Sequence, residues 1–278
     1  MMRKVLVIGF VVTLACSARA SLPFTDNFGN GQPANSDSIT GFWSQFPGSQ
    51  LSTSQITEDV GVPGVTPTNL HLIAGASNEA DVFGTAPSAD FNFFTAPKTF
   101  ILNGLSFTPV PSSIPGTAQQ FRFAVQSDGG TTQAGSFDAV TLFIDAANDV
   151  RLGFKNTGNG NGDTANSLVN THIASGSISG FSLTLNSTGY QLTVFDPAGN
   201  VNFNGNYSQS GAQLLQSSWV GNGNSTFSLG AFNTNTLGTV QVNVDQLTVV
   251  PEPSATLLTI VGAISLTAIF VLRVRKLG

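Results

Sequence analysis

Glu79-Ala80-Asp81 is the one place between residues 21 and 250 where a Glu-x-Asp pair occurs. On a β-strand, positions i and i+2 project from one face about 6.6 Å apart along the chain, a separation at which two carboxyls can carry out retaining glycoside hydrolysis. The only other close acidic pair of this kind, Glu58-Asp59, is adjacent in sequence, so a strand would send its members to opposite faces. His71 and His172 are the only histidines, and no serine sits in a Gly-x-Ser-x-Gly turn, which argues against a nucleophile–histidine triad. Each histidine is expected to be an exposed or hydrogen-bonded strand residue, and Glu79 and Asp81 to lie on a solvated edge or loop. No catalytic residues are assigned.

Binding chemistry has more candidates. Trp43, Tyr190, Tyr207 and Trp219 are the rings that combine an apolar face with a polar atom, the combination that suits contact with a sugar. The 22 phenylalanines, by contrast, are expected to face inward as packing residues. The run Asn156-Thr157-Gly158-Asn159-Gly160-Asn161-Gly162-Asp163 alternates oxygen-bearing side chains with glycine, and calcium takes oxygen ligands from flexible loops. Asn159, Asn161 and Asp163 are thus candidate calcium ligands, although only Asp163 carries charge and a plain hairpin or loop is the competing reading. No other cofactor is expected.

The two ends of the chain dictate where these residues must work. Met1 to Ala20 opens with Arg3 and Lys4, continues through an apolar run from Val5 to Cys16, and ends in Ala18-Arg19-Ala20. That order is a secretory signal: a cationic start, an apolar stretch too short to span a bilayer, and small residues at Ala18 and Ala20 for a signal peptidase, with Ser21 as the mature start. Cys16 admits lipid modification as an alternative, but leucine is missing three positions upstream. At the other end, Ala255 to Leu272 carries no charge and is followed by Arg273, Arg275 and Lys276. Eighteen residues of helix span roughly 27 Å, enough to cross a bilayer, and the basic tail 273–278 sets the cytoplasmic side. Pro251-Glu252-Pro253-Ser254 stands immediately before this span. Its prolines hold the chain extended and accessible, as they would in an ordinary juxtamembrane linker.

The succession of Pro-Glu-Pro, apolar span and basic cluster over the last 29 residues or so resembles the PEP-CTERM sorting signal of Gram-negative bacteria that make extracellular polysaccharide. The resemblance implies recognition by a membrane-embedded exosortase, cleavage near Pro251-Glu252-Pro253, and delivery of residues 21–250 to the cell envelope or extracellular matrix. It says little about that cargo.

Setting aside Arg3, Lys4, Arg19, Arg273, Arg275 and Lys276 from ten basic residues, and Glu252 from fifteen acidic ones, leaves four and fourteen. The resulting net charge of −10 opposes nucleic acid and anionic lipid, and Lys98, Arg122, Arg151 and Lys155 are too few to track a polyanion. Neutral glycans remain admissible. The ectodomain has no cysteine, so its stability must come from a core rather than from disulfides.

Period-two alternation marks the elements: Phe121–Val125, Val140–Ile144, Val150–Phe154, Phe181–Leu185, Tyr190–Val194 and Val240–Val244. Asn186-Ser187-Thr188-Gly189 and Asp196-Pro197-Ala198-Gly199-Asn200 supply turns between them. Consecutive hairpins with one buried face predict an all-β fold, an antiparallel two-sheet sandwich or jelly roll over 21–250, with a short helix near 213–219 as the one exception. The signal (1–20) and the transmembrane segment (255–272) add a helix at each end.

Phe24-Thr25-Asp26-Asn27-Phe28 followed by Phe42-Trp43, the succession from Phe181 to Phe203, and Val244 to Val249 as closing strand resemble the concanavalin A-like lectin/glucanase superfamily, although other jelly rolls, galactose-binding-like ones included, share such strands. The resemblance implies a glycan-facing fold without fixing an activity. Where its glucanases would continue the Glu79–Asp81 pattern with glutamate, Phe83 and Gly84 stand. The sequence thus points to a non-catalytic structural or adhesive component of the envelope or exopolymer. A lectin-like carbohydrate-binding module is the alternative, and a glycan hydrolase the third reading.

Overall fold

The computed structural model describes residues 24–26, 28, 43–45, 55–58, 70–75, 79–84, 93, 96–108, 119–126, 139–155, 167–173, 177–207, 226–233 and 239–251. The signal residues Ala18, Ala20 and Ser21, the calcium candidates Asn159, Asn161 and Asp163, the helix near 213–219 with Trp219, and Glu252, Pro253, Arg273, Arg275 and Lys276 lie outside them.

In chain order the strands are β1 (Phe24–Asp26), β2 (Trp43–Gln45), β3 (Gln55–Glu58), β4 (Leu70–Ala74), β5 (Glu79–Gly84), β6 (Lys98–Asn103), β7 (Ser106–Thr108), β8 (Gln119–Gln126) and β9 (Ala139–Asp145). They continue with β10 (Asp149–Lys155), β11 (Ser167–His172), β12 (Gly180–Leu185), β13 (Gly189–Phe195), β14 (Val201–Asn206), β15 (Thr226–Asn233), β16 (Val240–Val244) and β17 (Gln246–Pro251). All six alternating runs are strands, and every recorded pairing is antiparallel.

Three sheets form, one more than the sequence suggests. A six-stranded sheet runs β1-β17-β6-β12-β13-β14, a seven-stranded sheet β11-β10-β9-β8-β15-β5-β2, and a four-stranded sheet β3-β4-β16-β7. Val244 to Val249 reads as one closing strand but is two: β16 belongs to the four-stranded sheet, β17 to the six-stranded one, and Asp245 separates them. Its neighbour makes the same corner, β6 leaving the six-stranded sheet and β7 joining the small one across Gly104-Leu105. Gly104 has φ +70°, and a Cβ there would strike the Asp245 side chain, so glycine is required by both conformation and space. The corner is tied by the Asp245 N–H to the Asn103 carbonyl (3.0 Å) and the Leu105 N–H to the Ser179 carbonyl (2.9 Å).

The expected turn at Asn186 closes through its own side chain. Asn186 Oδ1 accepts the N–H of Thr188 and of Gly189, each at 2.8 Å, and joins β12 to β13. Asp196 Oδ1 likewise accepts the Ala198 N–H at 2.8 Å between β13 and β14.

Alternation sets which side of each strand is dry. Phe100, Leu102, Phe181, Leu183, Leu192, Val194 and Leu247 face inward from the six-stranded sheet, and Phe121, Phe123, Val140, Leu142, Ile144 and Leu229 meet them from the seven-stranded one. Phe181 bridges the layers, its ring centroid 5.4 Å from that of Phe123 and 6.3 Å from that of Phe121, while Phe100 lies 5.1 Å from Phe123. Truncating Phe181 to alanine removes the ring at the centre of this stack, and the expected loss is about 3–5 kcal/mol of unfolding free energy. Urea titration of the wild type and Phe181→Ala measures it.

Candidate functional site

The side of the seven-stranded sheet away from the phenylalanine core carries an unusual cross-strand row. Register places Asp81 (β5) opposite Gly230 (β15), Gly230 opposite Arg122 (β8), Arg122 opposite Phe143 (β9), Phe143 opposite Arg151 (β10), and Arg151 opposite Asn170 (β11). Residues directly opposite share a face, so all six positions line the same side. Two of the four cations in 21–250 therefore sit in one row.

Asp81 and Arg122 lie on strands separated by β15, yet Arg122 Nη2 reaches Asp81 Oδ2 at 2.7 Å. Gly230 permits this, because a Cβ at that position would strike the Asp81 carboxylate. The guanidinium carbon of Arg122 stands 4.3 Å from the centroid of Phe232, and that of Arg151 stands 5.4 Å from the centroid of Phe143. The two rings meet edge to face at 6.5 Å. The result is a continuous series of carboxylate, guanidinium, ring, ring and guanidinium, in which each cation lies over an electron-rich face.

Burial along this row is graded. The side chain of Asp81 is 0% exposed and that of Arg122 17%, Phe143 is 7% exposed, Arg151 is half-buried, and Asn170 is exposed. The row is closed at β5 and open toward β11. The adjoining row carries small residues: Ser228 opposite Ala124, Ala124 opposite Thr141, and Thr141 opposite Gly153. Ser228 is fully buried, and its hydroxyl makes no hydrogen bond among the described residues. An unsatisfied buried hydroxyl is a free-energy cost that the fold carries.

At the β9–β10 hairpin the same face ends in Asp145. Its Oδ1 accepts the N–H of Ala147 and of Asp149, each at 2.9 Å, and Asn148 takes a left-handed φ of 66°. Burial pushes the Asp145 carboxyl above its ordinary range, outweighing these hydrogen bonds. On the exposed side of the hairpin His172 Nδ1 lies 2.8 Å from Asp149 Oδ1.

The other sequence candidates fall elsewhere. Glu79 and Asp81 were expected on a solvated edge or loop; β5 instead runs inside the sheet between β15 and β2, and Asp81 is buried in its ion pair. Tyr190 and Tyr207 are core residues rather than ligand platforms, at 5% and 0% exposure. Tyr190 shares the inward phase of Leu192 and Val194 and donates to the Leu168 carbonyl at 3.2 Å, while Tyr207 packs 6.5 Å from Phe93. Trp43 lies on β2 opposite Gly84, on the far side of β5 from the row. His71 Nδ1 pairs with Asn243 Oδ1 at 2.6 Å, on the four-stranded sheet.

The described residues hold no group of three or more His, Cys, Asp or Glu suited to a metal. Asp145, the buried carboxylate of the hairpin, already uses Oδ1 on two backbone N–H groups, so these residues do not supply a calcium site.

Arg122, Phe143, Arg151, Phe232 and Gly230 were not singled out from sequence. One signal was present: in Val140–Ile144, Phe143 falls in the outward phase of Thr141 rather than the inward phase of Val140, Leu142 and Ile144.

No protein-family model matches the chain, its C-terminal segment included, and no curated protein matches it. Solved structures do resemble it. Lectin II from Ulex europaeus superposes with TM-score 0.51 at 6% identity, over 84% of this chain and all of that one. The carbohydrate recognition domain of Emp47p gives 0.53 at 10% identity over 80% and 94% of the two chains. The exoplasmic/lumenal domain of VIP36, in a Ca2+/Man2-bound form, gives 0.50 at 11% identity over 81% and 89%. At such identities the likeness is one of fold: the described domain shares the antiparallel β-sandwich fold of these lectin domains.

Removing Asp81 leaves the Arg122 guanidinium largely buried without its counter-charge, so Asp81→Ala should cost about 3–5 kcal/mol in urea unfolding. The double variant Asp81→Leu/Arg122→Met should recover most of that loss. For Asp145 the sign runs the other way. Its folded carboxyl holds a proton above the ordinary value of 3.8, so its unfavourable contribution is absent in acid and grows as pH rises through that window. Asp145→Asn keeps the acceptor, and should match or exceed the wild-type melting temperature at neutral pH, with the gap closing below pH of about 4.

Proposed function

We propose that the chain is an exported, non-catalytic carbohydrate-binding module whose ligand lies along the outer face of the seven-stranded sheet, at the open β9–β11 end of the arginine–phenylalanine row. The observation that carries this reading is the concentration of Arg122 and Arg151, with the rings of Phe143 and Phe232, on one face of a chain poor in charge. A guanidinium offers several fixed donors to sugar hydroxyls, and the buried Phe143 ring beneath Arg151 holds that guanidinium in place. The jelly roll shared with lectin II, the Emp47p carbohydrate recognition domain and VIP36 agrees with the same chemistry. This favours the lectin-like reading over a purely structural or adhesive one. The engagement of Asp81 by Arg122 supports a binding role over a hydrolytic one, since a carboxyl that is 0% exposed and occupied by a guanidinium is out of reach of a glycosidic oxygen.

Placement follows from the ends of the chain. Residues 1–20 direct export through a signal peptidase, 255–272 tether the protein to the membrane with Arg273, Arg275 and Lys276 inside, and an exosortase-type enzyme acts near Pro251-Glu252-Pro253. The module then works at the cell envelope or in an extracellular polysaccharide matrix.

Glycan-array screening of the mature secreted protein should give saturable binding to neutral glycans. Arg151→Ala should weaken it about tenfold or more, the value of one charge-assisted hydrogen bond, without lowering the melting temperature comparably. Silence across neutral glycans would overturn the reading, and loss of binding in EDTA would move the ligand to the 159–163 loop.

A further inference from the structure

The opposite side of the molecule is chemically unlike the row just described. On the six-stranded sheet the outward phase is set by the buried Phe100, Phe181, Leu192 and Leu247, so the alternate positions face away from the core. Register lines up Thr25, Thr248, Ile101, Ser182, Thr193 and Asn202 in one row across all six strands. The next row holds Val250, Thr99, Thr184, Gln191 and Asn204. No outward position on any of these strands carries Asp, Glu, Lys, Arg or His.

That absence needs a physical reason. The solvated face of a soluble sheet ordinarily takes Lys and Glu, which confer solubility and blunt association. Here the polar atoms are short hydroxyls and amides, and they are locked to each other across strands. Thr99 and Thr184 are joined at 2.7 Å, Thr193 donates to Asn202 at 2.7 Å, Thr25 and Thr248 are 3.2 Å apart, and Asn103 donates to Gln246 at 3.3 Å. Side chains already fixed in this way lose little rotamer entropy when a ligand settles on them. Strand geometry repeats them about 4.8 Å apart across the sheet and about 6.6 Å along each strand, an ordered lattice of groups that both donate and accept. The face is also open, with Thr25, Gln191, Asn202 and Asn204 exposed.

We infer that the outer face of the six-stranded sheet is a second binding surface, independent of the arginine row, for the flat side of a neutral, hydroxyl-rich polysaccharide. Neutrality is the matching property: a surface without charge on a domain of net charge −10 neither attracts a polycation strongly through local contacts nor offers cations to a polyanion. Hydroxyl and amide rows satisfy sugar hydroxyls, and the threonine methyls with Ile101 and Val250 provide apolar contact between them. Because the two faces lie on opposite sides of the sandwich, one molecule can bridge two polysaccharide chains.

The test is co-sedimentation of the full-length protein, purified in detergent, with microcrystalline cellulose and with an insoluble neutral β-1,3-glucan, using alginate beads as the anionic control. Wild type should pellet with at least one neutral polymer, insensitively to salt, and not with alginate. Ser182→Lys, in the middle of the first row, should reduce pelleting at least tenfold while Ala198→Lys, exposed on the β13–β14 turn and off both faces, leaves it intact, which separates this surface from a general effect of added charge. Should Ser182→Lys fold poorly by circular dichroism, Gln191→Lys, at an exposed position, makes the same test. Failure of the wild type to pellet with either neutral polymer, pelleting unchanged by Ser182→Lys and Gln191→Lys, or its equal loss in Ala198→Lys would overturn the inference. So would a wild-type dimer that the lysine variants convert to monomer in sedimentation velocity, because the face would then be an interface between copies of this chain.

Discussion

The contact of Phe181 with Phe121 and Phe123 across the gap between the sheets is the constraint from which the rest follows. Residues 21–250 have no cysteine to crosslink them and few charges to pair, so apolar burial between two layers must supply the driving force for folding. Once these rings choose the inside, period-two geometry leaves no freedom about the outside, since a one-residue slip would invert every strand. The arginine row on one sheet and the threonine–asparagine rows on the other are the complements of a single packing decision. Their contrast in chemistry was therefore open to selection without disturbing the core.

Against that background the Asp81–Arg122 pair is a cost the fold carries. Burying a carboxylate and most of a guanidinium sacrifices hydration that their attraction only partly offsets, and an apolar pair of similar volume would stabilise the sheet at least as well. The geometry shows how the pair is kept nonetheless: Gly230 vacates the space between strands that are not neighbours, and Phe232 covers the cation. A strand interior ordinarily avoids glycine, because it brings no side chain to pack and loses the most backbone entropy. Accepting both penalties at one spot in a chain with so few cations makes sense when the arginines are held for something other than stability.

The strands were legible because alternation is local: six runs from Phe121 to Val244 read correctly from their own residues, and so did the Asn186 and Asp196 turns, which close through side chains two or three positions away. What lay beyond that range was not legible. The corner at Gly104 and Asp245 depends on two segments about 140 residues apart in sequence meeting side by side, and without it β16 and β17 look like one strand and the third sheet is invisible. Tyr190 stood among the candidate sugar-contacting rings for its chemistry, while its phase with Leu192 and Val194 places it inside. Asp81 reads as an acid on a polar stretch until Arg122, 41 residues on, is known to lie two strands away. Phe143 was the one part of the site that period alone would have exposed.

Topology adds a consequence for how such a domain would present its faces. β1 and β17 are antiparallel neighbours, Phe24 standing opposite Val249, so the chain enters the first of these strands and leaves the last at the same end of the six-stranded sheet. The tether proposed beyond Pro251 would therefore attach at one end of the six-stranded sheet rather than to either face of the sandwich. Under that proposal the arginine row and the uncharged lattice both stay open to polymer. Attachment through a face would sacrifice one of the two surfaces; attachment at a strand end sacrifices neither.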